Sequence, residues 1–423
     1  MTTRPITRRT VLATGASALA APAFIAAPAI AQGRTIRIGH VAPRTGPLAA
    51  FGEADPFVLE QIQKILANGI QNGGKTYKVE IISKDSQSNT ARASEVASEL
   101  ILRDKVDLIV AASTPDTTNP VADQAEVNEV PCVTTDCPWQ AYFFGRKGDP
   151  KKGFNWTYHF FWGAEDLLAA FTALWDSMPT NKTVGGMFSN DADGNAFADP
   201  VMGFPPALAK AGYKLVNPGL YQPLSNDFTA QISAFKAANV EIVSGVFIPP
   251  DFATFWSQAA QQGFKPKIVT VAKALLFPSA VAALGPRGEG LTSEVWWTPT
   301  HPFKSGLTGE TAKQLTDAYT AATGKPWTQP IGFKHALFEV AIDVLKRAKA
   351  LDDPAAIRDA IAATNYNSIV GPVHWGGQPV KNVSKTPLVA GQWQMKDGKL
   401  DLVVTTNKPA PNIPVGGTLK PLA

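Results

Sequence analysis

The chain has 423 residues, 45% hydrophobic and 17% charged, with a formal net charge of +4 at pH 7. This composition excludes a disordered polymer, and the length exceeds one ordinary core, so two lobes are expected. Arg4, Arg8 and Arg9 stand in the first 31 residues, which hold no acid; without them the net charge is about +1, and a nucleic-acid partner loses its electrostatic support.

Residues 7–12 read Thr-Arg-Arg-Thr-Val-Leu with the arginines at Arg8 and Arg9, and an Ala-rich segment ends in the small-x-small site Ala29-Ile30-Ala31. The pattern predicts a twin-arginine signal peptide over 1–31, cleaved before Gln32 and sending the protein to the periplasm. Pro22 and Pro28 interrupt the segment, which argues against a membrane anchor.

The strand-like alternation of Ile36, Ile38 and Val41 runs into the breakers Thr45-Gly46-Pro47. Val58, Ile62, Ile65, Leu66 and Ile70 then recur at helical spacing, 77–83 alternates as a strand, and Val96, Leu100 and Ile101 mark a second helix. The continuous apolar run 106–111 suits a buried parallel strand, with Asn119-Pro120 expected to cap and open the next helix and 130–134 to form a fourth strand. A second series starts near Trp162, with strands expected at 184–188, 213–220, 241–247 and 267–271, and a helix after Asp227 presenting Phe228, Ile232 and Phe235 on one face. Helices at 331–350 and 354–363 precede strands at 368–375, 388–394 and 400–405, the last two joined by Asp397-Gly398. Two βα series in one chain point to two similar α/β lobes.

The order TIRIGHVAPRTGPLAAFGE, KDSQSNTARA, DLIVAAS, NPVADQAEVNEVPCVTT, SNDADGNAF, DFTAQISAFKAANVEIV and SIVGPVHW resembles the Leu/Ile/Val-type solute-binding proteins of ABC importers over essentially the whole chain after residue 31. The resemblance implies a type I periplasmic binding protein fold, with two Rossmann-like lobes joined by three crossover strands near 158–162, 295–299 and 375–380. Lobe 1 would comprise 34–160 and 297–375, and lobe 2 would comprise 161–296 and 376–423. It also implies no catalysis, no cofactor, and a monomer whose partners are a small-molecule ligand, an ABC permease and, through it, an ATPase.

Several motifs lead elsewhere and fail on context. Residues 69–76 fit the P-loop expression, but a phosphate loop joins a strand to a helix, whereas this one follows a helix and precedes a strand. Residues 190–194 (Asn-Asp-Ala-Asp-Gly) imitate a calcium loop whose end positions would be Ser189 and Pro200, neither of them an acid. The histidines His40, His159, His301, His335 and His374 show no metal-ligand spacing, and the only carboxylate pairing to consider for a hydrolase is Asp136 with Asp191 or Asp193. Cys132 and Cys137 are either a small-loop disulfide or two thiols; a bridge would require the chain to turn back within five residues.

Ligands of α/β sheets sit at the carboxyl ends of strands. On that rule the expected ligand contacts are Phe51, Ser113, Thr114, Asp136, Trp139, Asp193, Phe247, Ile248 and Lys273, with core packing the alternative for Phe247 and Ile248. In amino-acid binders of the resembled family an acid follows the 267–271 strand, where this chain reads Val271-Ala272-Lys273-Ala274. The expected ligand is therefore a small apolar or aromatic carboxylate meeting Lys273. The alternatives are a branched-chain amino acid or amide, or a periplasmic sensor subunit that docks on a receptor.

Overall fold

A computed structural model describes residues 34–378 and 380–422, so the expected signal segment lies outside the described residues. Two mainly parallel sheets carry the fold. The first contains β1 (Ile36–Ala42), β2 (Val79–Asp85), β3 (Leu108–Ala112), β4 (Cys132–Thr135) and β5 (Thr157–Phe160), in the spatial order 2-1-3-4-5. The second contains β6 (Thr183–Ser189), β7 (Lys214–Val216), β8 (Leu220–Tyr221), β9 (Ile242–Val246), β10 (Ile268–Ala272) and β11 (Thr292–Val295). Both β7 and β8 pair with β6, so this sheet repeats the first lobe's order before the antiparallel hairpin β12 (Val389–Lys396) and β13 (Lys399–Thr406) extends it beyond β11. The strands β3, β9, β10 and β11 are buried at every residue, as parallel strands covered on both faces must be.

The chain passes between sheets three times. Two passages, after Phe160 and after Val295, lie where the sequence suggests. The third comes later: the two-residue strand Val383–Ser384 still pairs in parallel with His159 and Phe160 of the first sheet, so the crossing falls between Ser384 and Val389 rather than at 375–380. Two residues give no periodicity to read. The tail also holds a separate small hairpin, Asn365–Ser368 with Gly371–His374.

Local differences have local causes. The helix after β3 runs Pro115–Val127 with Thr114 at its N-cap position, so Pro120 lies inside it and costs only the bond that its amide would have made one turn back. Asn217-Pro218-Gly219 breaks the expected 213–220 strand into β7 and β8. Residues 70–77 form a hairpin, Ile70–Asn72 with Lys75–Tyr77, turned by Gly73 and Gly74 at φ 56° and 75°. Asp397 and Gly398 turn the β12–β13 hairpin with positive φ, as the sequence suggests. Cys132 and Cys137 are both buried free thiols.

Candidate functional site

The carboxyl ends of β1, β3 and β4 face those of β6, β9, β10 and β11 across a narrow cavity of about 20 Å³. That is room for about one water, so a larger guest requires the lobes to part. Lobe 1 contributes Phe51, Thr114, Asp136 and Pro138; lobe 2 contributes Asp193, Phe197, Val246, Ala272, Lys273 and Glu294; Trp162 and Trp296 come from the first two passages.

Each side chain is aimed by its backbone. Phe51 sits in the 3₁₀ turn Ala49–Gly52 after β1, where its ring meets Phe277 edge-on at 5.0 Å and lies 6.4 Å from Trp296. Thr114 is extended, with φ −71° and ψ 161°, and its hydroxyl does not cap the helix that follows. Asp136 directly follows β4 and Lys273 directly follows β10, with φ of 73° and 74°. Both non-glycine residues stand in left-handed backbone, a costly geometry that persists only where the surroundings enforce it. Trp162 and Trp296 lie 6.0 Å apart, and Phe161 meets Trp296 edge-on at 4.8 Å, so the passages between lobes are themselves an aromatic wall.

Two ion clusters back the cavity. In lobe 1, Lys334 Nζ lies 3.5 Å from Asp55 and 3.7 Å from Asp136 and donates to the Ala112 carbonyl. In lobe 2, Lys273 Nζ lies 2.6 Å from Asp193 and 3.4 Å from Asp191, while its backbone N–H donates to Glu294 at 2.8 Å. Burial pushes Asp136 up to about 7 against the pull of Lys334, and pushes Asp193 up to about 6 against that of Lys273. Burial likewise pushes Glu294 up to about 7. Burial lowers Lys273, but Asp191, Asp193 and Asp116 outweigh it and hold its ammonium above the ordinary value. Asp116 also accepts the Ala192 N–H at 3.3 Å, a hydrogen bond from one lobe to the other.

The expected contacts divide. Phe51, Thr114, Asp136, Asp193 and Lys273 meet at the cavity, and Ser113 lies buried beside Thr114. Trp139 stands outside it and donates its indole N–H to Glu165 at 3.1 Å. Phe247 belongs to an aromatic core with Tyr221, Phe228, Phe252 and Phe255, and Ile248 is buried at the N-cap of the helix Pro249–Gln261. The free cation expected at Lys273 is instead neutralised by two aspartates. The strand-end rule misses Glu294, Lys334, Phe197 and the roles of Trp162 and Trp296. The one signal for Lys334 is a lysine inside the apolar run 331–338.

Several cavity atoms are buried without a hydrogen-bond partner among the described residues. The acceptors are both carboxylate oxygens of Asp136 and Oδ1 of Asp193; the donors are the Thr114 hydroxyl and the indole N–H groups of Trp162 and Trp296. Orphaned polar atoms are costly and mark the place of a polar guest. Among the described residues no group of His, Cys, Asp and Glu is arranged to hold a metal.

A family model described as periplasmic binding protein matches residues 35–399. The chain belongs to this family, whose members bind rather than catalyse. Solved structures share the fold at low identity. A leucine-binding protein from Thermotoga maritima is 21% identical, with a TM-score of 0.69 over 87% of this chain and 97% of its own. A branched-chain amino acid transporter substrate-binding protein from Streptococcus pneumoniae, in complex with isoleucine, is 18% identical, with a TM-score of 0.68 over 88% and 99%. A solute-binding protein of an ABC transporter from R. palustris, in complex with 4-hydroxybenzoate, is 18% identical, with a TM-score of 0.71 over 88% and 96%. The two-sheet architecture is that of type I periplasmic binding proteins.

Proposed function

We propose that this periplasmic binding protein is the solute-binding subunit of an ABC importer, exported by the twin-arginine route. It encloses one small molecule between its lobes and presents the closed form to a membrane permease and its ATPase. The observation that carries the reading is a single cavity walled by strand ends of both lobes, the arrangement from which hinge closure reports occupancy. The nine sequence-derived contacts reduce in this proposal to Phe51, Thr114, Asp136, Asp193 and Lys273, joined by Trp162, Trp296 and Glu294.

The ligand follows from the orphaned atoms. A carboxylate without an amine would depend on Lys273, whose charge two aspartates already take up. Three carboxylates and one ammonium line the cavity. Thr114, Trp162 and Trp296 offer donors to an acceptor group, while Asp136 and Asp193 offer acceptors to an amine. An apolar amino acid or its amide satisfies both sets; a small apolar or aromatic carboxylate satisfies the donors alone. A thermal-shift screen over amino acids, amides and aromatic acids separates the two, since a ligand at ~100 times its dissociation constant adds ~2.7 kcal/mol of stability. Stabilisation by aromatic acids but by no amine-bearing compound would replace the first class with the second. Capture of a receptor instead of a permease would replace the importer with a sensor.

A further inference from the structure

A second compartment of about 300 Å³ adjoins the first, and the two share Pro138 and Phe197 as walls. It too lies between the lobes, with Ala141 and Phe144 on the lobe 1 side and Ala192, Ala196 and Met202 on the lobe 2 side. Two of its polar side chains are engaged, and the third, Asn195, is exposed and reaches Asn190 only at 3.5 Å. Gln140 donates to Glu165 and accepts the Ala164 N–H at 2.9 Å, and Asp199 accepts the N–H groups of Val201 and Met202 at 2.8 Å each. What a guest meets is mostly alanine, phenylalanine, proline and methionine surface. Met202 is 55% exposed at the mouth, where a flexible thioether adapts to variable shapes.

We infer that this compartment is an outer subsite that takes an apolar or aromatic extension of the ligand whose polar head lies against Thr114, Asp136 and Asp193. The inference rests on the solute-binding reading of the inner cavity and adds to it a preference for elongated molecules. The shared walls Pro138 and Phe197 name the occupant: the inner cavity has room for about one water, so a ligand anchored there must extend outward, and the buried polar groups left free along the pair of compartments, among the described residues, lie at its inner end. Three small residues, Ala141, Ala192 and Ala196, make the room.

Calorimetry tests this with two probe pairs that differ only in length: phenylalanine against 4-phenylphenylalanine, and benzoate against biphenyl-4-carboxylate. The longer member of the pair whose head group binds should be favoured by about tenfold or more, the effect expected for burying an added ring. Ala196→Phe, which fills the compartment, and Met202→Trp, which blocks its mouth from an exposed turn, should each erase that preference and leave the short probe unchanged. Equal affinity for short and long probes, or variants that weaken both equally, would overturn the subsite while the solute-binding reading stands. Failure of all four probes to bind, while a smaller amino acid or amide does, would overturn the subsite and leave the solute-binding reading standing.

Discussion

The two lobes repeat one strand order, and equivalent positions carry opposite chemistry. After β3 in lobe 1 come Ser113 and Thr114, and after β9 in lobe 2 come Phe247 and Ile248; in each case Pro115 or Pro249 opens the helix that follows. Thr114 and Ile248 share nearly the same backbone, with φ/ψ of −71°/161° and −80°/157°, yet one offers an orphaned hydroxyl to the cavity and the other is buried apolar surface. After β4 stands Asp136 in lobe 1, and after β10 stands Lys273 in lobe 2, with φ of 73° and 74°. The fold therefore supplies the positions, and side-chain exchange at them gives lobe 1 a hydroxyl and a carboxylate where lobe 2 has an apolar side chain and an ammonium.

The ion clusters offer the largest effect. Lys334 is fully buried between Asp55 and Asp136, so Lys334→Met leaves two carboxylates without their cation, a loss of roughly 3–5 kcal/mol in urea denaturation. Adding Asp136→Asn should restore part of it, and a wild-type midpoint for the single variant would show that the cluster is not the strut of lobe 1. Lys273→Met should cost less, about 1–3 kcal/mol, because Asp191 keeps the Gly194 N–H and retains some solvent contact. It frees Asp193 for the ligand, so an amine-bearing ligand should bind as well as before or better. A ten- to hundredfold loss would instead restore the bare carboxylate expected from the sequence.

That reversal shows what the sequence holds and what it does not. Strand ends, helix faces and the two-lobe repeat follow from local periodicity and breakers, as in the buried Phe228, Ile232 and Phe235. The positions of Phe51, Thr114, Asp136, Asp193 and Lys273 follow from the strand-end rule, and the first two passages from the family resemblance. Pairing does not, because Lys273 and Asp193 are eighty residues apart in the chain, and Lys334 reaches Asp136 from a helix near the other end. Phe51 and Phe247 both follow strands; only tertiary packing sends one to the cavity and the other into an aromatic core.

Protonation sharpens the polarity of the two lobes with a smaller effect. Asp136 and Asp193 titrate near 7 and 6, above the ordinary carboxylate range, so their contribution to unliganded stability is full below about pH 4 and is lost as pH rises through those values. Burial pulls His40, His159 and His301 down to about 3, and their contribution runs the other way, present above about 6.5 and lost as pH falls. The two trends oppose each other in a melting curve, so affinity is the cleaner readout. An amine-bearing ligand favours ionised carboxylates; its affinity should rise about tenfold or less between pH 5.5 and 7.5 with proton release, and Asp136→Asn should flatten the rise. A pH-independent affinity in the wild type would remove Asp136 from the amine site.

Exchanging the residues after β3 and β9 probes the same asymmetry more gently. Thr114→Val removes one donor and should weaken binding by about 0.5–1.5 kcal/mol, up to roughly tenfold, with little change in melting. Ile248→Val trims a methylene remote from the ligand and should shift stability by about 0.5–1.5 kcal/mol and leave affinity alone. Equal effects of the two on affinity would erase the distinction between these two positions.

The smallest expected effect belongs to the motif that points most plainly to another function. Residues 69–76 satisfy a phosphate-loop pattern, but Gly73 and Gly74 turn a two-stranded hairpin and Lys75 begins its return strand, exposed to solvent. Phosphate binding at such a loop requires successive N–H groups converging at the start of a helix, and here a strand follows. The two glycines serve positive φ in the turn, where an added Cβ would touch nothing and only the backbone geometry selects glycine. Lys75→Ala should therefore leave ligand affinity and melting temperature unchanged, and ATP should not stabilise the wild type. An ATP-dependent rise in melting temperature that vanishes in Lys75→Ala would place a nucleotide site on lobe 1 and make that hairpin a binding element rather than a plain turn.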